Sequence, residues 1–173
     1  MNYINTIEEL TYALDNVDPL DYAKIMKKIN ITEDHISEFA TWSSKCYTRN
    51  CLARTNKYEV ILLCWDIGAE SPIHCHDGKD CWVYQVNGEL EEKRFNYNKE
   101  ELIETHNLEL KPNKLTYMHD RMGYHSIGNS STKRAMSLHI YASPIDSCTI
   151  YNDDNQCFDP QELSYDTFKG VEV

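Results

Sequence analysis

Seven histidines, at positions 35, 74, 76, 106, 119, 125 and 139, offer this chain its clearest means of binding a metal. Only Cys75 separates His74 from His76. Side chains two apart on an extended segment project to the same side, so this spacing can set two imidazoles on one ion while Cys75 points away. The third ligand must come from elsewhere. His125 follows Gly123-Tyr124, between two strand-like stretches, where a loop or strand end can close on a metal. His139 lies in AMSLHIY, whose alternation puts Ala135, Ser137, His139 and Tyr141 on one face and Met136, Leu138 and Ile140 on the other. A hydroxyl, an imidazole and a phenol opposite a wholly apolar face imply a polar cavity. Pattern alone leaves His139 either as the third ligand or as a partner that orients Tyr141. His35, His106 and His119 sit in polar stretches and read as exposed or capping residues.

The donor type restricts the ion. Imidazole nitrogens suit iron, zinc, nickel and copper, whereas calcium and magnesium want mainly oxygen. Three neutral ligands leave a divalent ion its full charge for an anionic substrate, and a zinc hydrolase remains open on the same residues. The seven cysteines, at 46, 51, 64, 75, 81, 148 and 157, are odd in number and form no C-x-x-C pair. Buried thiols or one special cysteine fit better than a disulfide framework. The carboxylates of NDDNQ at 152–156 do not complete an EF-hand loop and read as a surface turn.

These residues need a scaffold. At 173 residues the chain is long enough for one well-buried domain, expected over 1–173. Residues 1–45 read as mainly helical. Thr6 and Asp18-Pro19 are helix starts, and Thr32 begins a third helix with Ile31 and Ile36 in staple spacing. Residues 46–160 read as mainly β: YEVILLCWDI, two strands around the hairpin signal Asn87-Gly88, then NLELKP, KLTYMHD, KRAMSLHIY and SCTIY. A turn of helix is expected around 96–104. Short strands without long intervening helices imply an antiparallel sandwich or barrel. Seventeen Lys+Arg against 28 Asp+Glu give a net charge of −11, which repels nucleic acid and anionic membranes. No apolar run approaches a membrane span and the start lacks a secretory pattern, so the cytoplasm is the expected location. No symmetric patch is legible; a monomer is expected, with an oligomer left open.

The stretches YTRN at 47–50, CWDIGAESPIHCHDGKDCWVYQVNGEL at 64–90, GYHSIGNSS at 123–131 and SLHIYASPIDSC at 137–148 together resemble cysteine dioxygenase, within the cupin superfamily. The resemblance implies a mainly β fold, a cupin-type small β-barrel (double-stranded β-helix or jelly roll) with a short N-terminal helical segment. It implies that His74, His76 and His125 hold Fe(II), with His139 outside the ligand set. It further implies that L-cysteine binds through its thiolate and amine, that O2 is the co-substrate, and that cysteine sulfinic acid is the product. By the same resemblance Arg49 binds the substrate carboxylate with help from Tyr47, and favours cysteine over 3-mercaptopropionate. Tyr141 positions substrate and oxygen, His139 orients it, and Cys81 can form a self-generated thioether with Tyr141. Cys64, Trp65, Cys75 and Trp82 are expected to pack around the site, and Cys148 to lie near its entrance. One departure stands out: where the family often has Ser-Pro-Pro, this chain has Ala142-Ser143-Pro144. A noncatalytic metal- or thiol-binding cupin is the reading from a different class.

Overall fold

The computed structural model describes residues 3–98 and 100–173. Thr6 starts the first helix, α1 (Ile7–Asp15), by accepting the Glu9 amide at 3.2 Å. Asp18 caps a 3-10 turn at Pro19–Asp21 that leads into α2 (Tyr22–Met26). The third helix expected at Thr32 is replaced by two single 3-10 turns, Glu33–His35 and Ser37–Phe39. Ile36, with φ −137°, interrupts them and is fully buried, so apolar burial overrides helix continuation at that point.

Twelve strands follow: β1 (Thr48–Arg54), β2 (Tyr58–Trp65), β3 (Asp80–Asn87), β4 (Leu90–Tyr97), β5 (Leu102–Leu110), β6 (Leu115–Met118), β7 (Tyr124–Gly128), β8 (Ala135–Ala142), β9 (Ser147–Asn152), β10 (Cys157–Glu162), β11 (Thr167–Phe168) and β12 (Val171–Glu172). The main sheet runs β12-β11-β1-β2-β8-β3-β6, beside a three-stranded sheet β5-β4-β7 and a two-stranded sheet β10-β9. Isolated bridges from His74 to His125 and to Ile150 link β7 to β9. The segment around His74 thus ties the two smaller sheets edge to edge.

Two expectations change here. Asn87-Gly88 does not close a hairpin, because β3 pairs with β8 and β6 whereas β4 pairs with β5 and β7. The turn carries the chain from one sheet to the other. Gly88 has φ +67° and its backbone lies against Ala135, where a Cβ would come within 2.7 Å of the Ala135 Cβ; only glycine fits such a crossing. The helical turn expected around 96–104 is the tip of the β4–β5 hairpin, with Asn98 Oδ1 accepting the Glu100 and Glu101 amides; Lys99 lies outside the described residues.

Two apolar clusters divide at the main sheet. On its outer face Val60, Leu62, Cys64, Trp82, Leu138 and Ile140 pack against Leu10, Leu14, Tyr22 and Met26 of the helices. On its inner face Ile61, Leu63, Trp65, Cys81, Val83 and Tyr141 meet Leu90, Leu110 and Ile127 of the smaller sheet. Cys64 and Trp82 therefore pack under the helices, away from the histidines, because period-2 alternation sends them to the outer face. Of the expected neighbours, Trp65 and Cys75 stay with the inner cluster.

Candidate metal centre

His74, His76 and His125 converge between the sheets, their candidate ligand atoms all within 4.8 Å of one another. The extended segment that carries His74 and His76 is fixed on both sides. His74 N donates to His125 O at 2.9 Å, His125 N returns a bond to His74 O at 3.1 Å, and Cys75 N donates to Thr149 O at 3.1 Å. Cys75 turns away as its position requires, and its Sγ lies 3.1 Å from Thr149 Oγ1. After His76 the chain is held by Asp120, whose carboxylate accepts the His76 amide at 2.7 Å and the Gly78 amide at 2.6 Å. His125 stands inside strand β7 rather than on a loop.

The second ring nitrogens show which atoms face the centre. His74 Nδ1 lies 2.9 Å from Pro72 O, and His125 Nδ1 lies 3.0 Å from Glu92 Oε1. Each contact calls for a proton on Nδ1 and leaves a lone pair on Nε2. His76 Nδ1 is buried without a protein partner. His76 Nε2 and His125 Nε2 are 2.9 Å apart, close to the ~3.0 Å expected of two nitrogens at right angles around one ion at ~2.1 Å. The donor set therefore fits a transition-metal ion and does not fit calcium or magnesium. Burial, with His125 beside it, pushes the His74 imidazolium down to about 3. Burial likewise pulls His76 well below the usual histidine range, so both rings are neutral and able to ligate.

Glu92 went unnoticed in the sequence. It is fully buried, and besides His125 it accepts from Arg94 Nε at 3.1 Å and from Thr116 Oγ1 at 2.9 Å. Burial pushes its carboxyl up, but the bonds from His125 and Arg94 prevail and hold it below the ordinary glutamate value. Its one signal was the β4 alternation, which sets Glu92 on the same face as Leu90.

The main sheet supplies the opposite wall. Cys81 and Tyr141 are cross-strand partners on β3 and β8, both buried. Burial drives both the thiol and the phenol upward from their usual values, so both keep their protons at neutral pH. Trp65 Nε1 donates to Ser137 Oγ at 2.9 Å, and Ser137 Oγ lies 3.0 Å from His139 Nε2. The His139 and Tyr141 rings are 6.4 Å apart and share no hydrogen bond among the described residues, so the recorded partner of His139 is Ser137. Ser137 was legible only as a member of the polar face. Tyr47 stacks on Trp65 with centroids 4.7 Å apart.

A cavity of about 60 Å³ opens onto this centre, lined among others by Tyr47, Arg49, His74, His76, Tyr141 and Cys148. Arg49 Nε donates to Ser164 O at 3.0 Å, while its Nη2 is buried with no partner among the described residues. Its guanidinium forms no ion pair among the described residues. A half-buried cation whose Nη2 is sealed off and unspent, beside two imidazoles on the same cavity, is a receptor for an anionic group. Ser143, at the family departure, adopts φ +70° and donates its amide to Lys57 O at 2.7 Å.

Comparison with known proteins agrees with this arrangement. The model of a family described as cysteine dioxygenase type I matches residues 2–154. Cysteine dioxygenase type 1 of Homo sapiens is 30% identical over 146 residues, which are 82% of this chain and 73% of that protein. The Danio rerio protein of the same name is 30% identical over 159 residues, 85% of this chain and 79% of that one. Among solved structures, a conserved Klebsiella pneumoniae protein with a double-stranded β-helix domain superposes with a TM-score of 0.52 at 19% identity, over 74% of this chain and 95% of that one. That likeness concerns the fold. The family match spans every residue around the cavity up to Ile150, and this chain belongs to the cysteine dioxygenase type I family.

Proposed function

We propose that the protein is an Fe(II)-dependent dioxygenase that converts L-cysteine and O2 to cysteine sulfinic acid, on a double-stranded β-helix scaffold. The observation that carries this reading is Arg49 Nη2, buried and without a partner among the described residues, on the cavity that His74 and His76 line. His74, His76 and His125 would hold the iron through Nε2. When bound, the metal supplies open positions for the substrate donors and the redox chemistry that oxygen requires.

The chain's own residues do the rest. Arg49 donates charge-assisted bonds to the substrate carboxylate and so sets the amino acid's orientation in the cavity. Tyr47, braced on Trp65, walls that end. Tyr141 keeps its phenolic proton because it is buried, and donates a hydrogen bond to negative charge that develops beside it. Ser137 and His139 extend a buried polar chain from Trp65 along the same face. Glu92 fixes the orientation of the His125 ring and keeps its proton on Nδ1.

Cys81 faces Tyr141 across the strand pair, which supports a thioether from Cys81 Sγ to a tyrosine ring carbon. Such a bond removes two hydrogens, taken up by oxygen during turnover, and it would lock the phenol in place. Intact mass after aerobic turnover should fall by those two hydrogens, and an unchanged mass would contradict the bond.

Substrate choice provides the functional test. Arg49→Gln should weaken L-cysteine turnover and shift preference toward 3-mercaptopropionate. Unchanged preference would count against the clamp, and turnover of 3-mercaptopropionate above cysteine by the unaltered protein would replace the proposed substrate.

A further inference from the structure

Besides its ladder partner Leu63 on β2, the groups that hold Arg49 lie outside the family match, which ends at residue 154. The C-terminal segment grips the arginine from behind. Arg49 N donates to Asp166 Oδ2 at 2.7 Å, Asp166 N donates to Arg49 O at 2.8 Å, and Ser164 O accepts from Arg49 Nε at 3.0 Å. The Tyr165 ring lies under the guanidinium, its centroid 6.0 Å from the central carbon. None of these contacts neutralises the charge: a peptide carbonyl and a ring face position it, and the Asp166 carboxylate is occupied by a backbone amide.

A competitor for that charge lies close by. Glu59 is fully buried on the inner face, directly across the β2–β8 ladder from Tyr141. Left alone, a buried carboxylate near a half-buried guanidinium would pair with it. Glu59 is instead taken up by Arg54 Nη1 at 3.0 Å, by the Tyr165 hydroxyl, and by the Ile145 amide at 3.4 Å. The Tyr165 ring is also 6.0 Å from the Arg54 guanidinium carbon, and Arg54 donates to the Tyr165 hydroxyl. Arg54 is anchored in turn by Asp146 at 2.6 Å. One phenol thus touches the carboxylate and both arginines.

We propose that Tyr165 is a positioning residue that holds Arg49 over the cavity and, with Arg54, occupies Glu59, so that the guanidinium stays available to a substrate carboxylate. The proposal rests on the reading of Arg49 as the carboxylate clamp, and the test separates the two.

Anaerobic equilibrium binding to the iron-loaded protein is measured for L-cysteine and for 2-aminoethanethiol, which keeps thiol and amine but lacks the carboxylate. Tyr165→Phe should weaken L-cysteine about tenfold, the worth of one charge-assisted hydrogen bond, and leave 2-aminoethanethiol within about twofold. Adding Glu59→Gln should restore L-cysteine binding, which a merely structural loss would not allow. Arg54→Gln, which frees the same carboxylate from its other partner, should show the same selective loss and serves if Tyr165→Phe does not fold. Equal weakening of both thiols, or none, in both variants would overturn the proposal. If Arg49→Gln in that case weakens L-cysteine and spares 2-aminoethanethiol, the clamp stands without Tyr165. An Arg49→Gln protein that weakens both equally would remove the clamp and this proposal with it.

Discussion

The two faces of strand β8 differ more than any two distant parts of the molecule. Met136, Leu138 and Ile140, which carry no polar side-chain atom, enter the apolar core beneath the helices. One residue away along the same backbone, Ser137, His139 and Tyr141 are equally buried, yet they belong to a polar wall that ends at the cavity. The outer face contributes stability through apolar burial. The inner face accepts the cost of buried polar groups because hydrogen bonds offset much of it and the remaining unpartnered atoms can meet a ligand. Fold and chemistry are thus sorted by side-chain parity, which a one-residue slip of register would exchange.

Substitutions on the two faces should separate accordingly. The largest effect on turnover belongs to His74→Ala, which should abolish iron binding and activity while far-UV circular dichroism stays unchanged. Retained stoichiometric iron would place the metal elsewhere. Tyr141→Phe should keep the iron and the unfolding midpoint but slow turnover about tenfold to a hundredfold, the range for a donor aimed at developing charge. Equal turnover would strip the inner face of its catalytic part. The smallest effect on chemistry belongs to Leu138→Ala, one position from His139. It should lower stability by about 2–5 kcal/mol in urea unfolding, with kcat little changed at a temperature where the variant is folded. A kcat that fell in proportion to stability would mean that the faces are not independent.

The same parity explains what could be read in advance. The AMSLHIY alternation was sharp enough to separate a polar from an apolar face, and both lie where it put them. His74 and His76 share a side even though their segment is only a bridge between sheets, since the period-2 rule needs extended backbone and no long strand. Asn87-Gly88 was legible as a turn but not as a crossing between sheets, because turn chemistry is local and strand partners are not. Glu92 was hidden for a related reason: in LEEKR it looks like one more solvated charge until its partner, 33 residues away, is known. Ser164 reaches Arg49 over 115 residues of chain, and neither it nor the adjacent Tyr165 carries a local signal. The contacts that tune the site are the long-range ones, and those are what a single sequence conceals.

The claim that the inner face houses an iron site for oxygenating cysteine is tested most directly with isotopically labelled dioxygen. Protein loaded anaerobically with Fe(II) and given L-cysteine should consume one O2 per cysteine and place both labelled oxygens on sulfur in a sulfinate. Unlabelled product, cystine in place of sulfinate, or the same yield from the His74→Ala protein would contradict it.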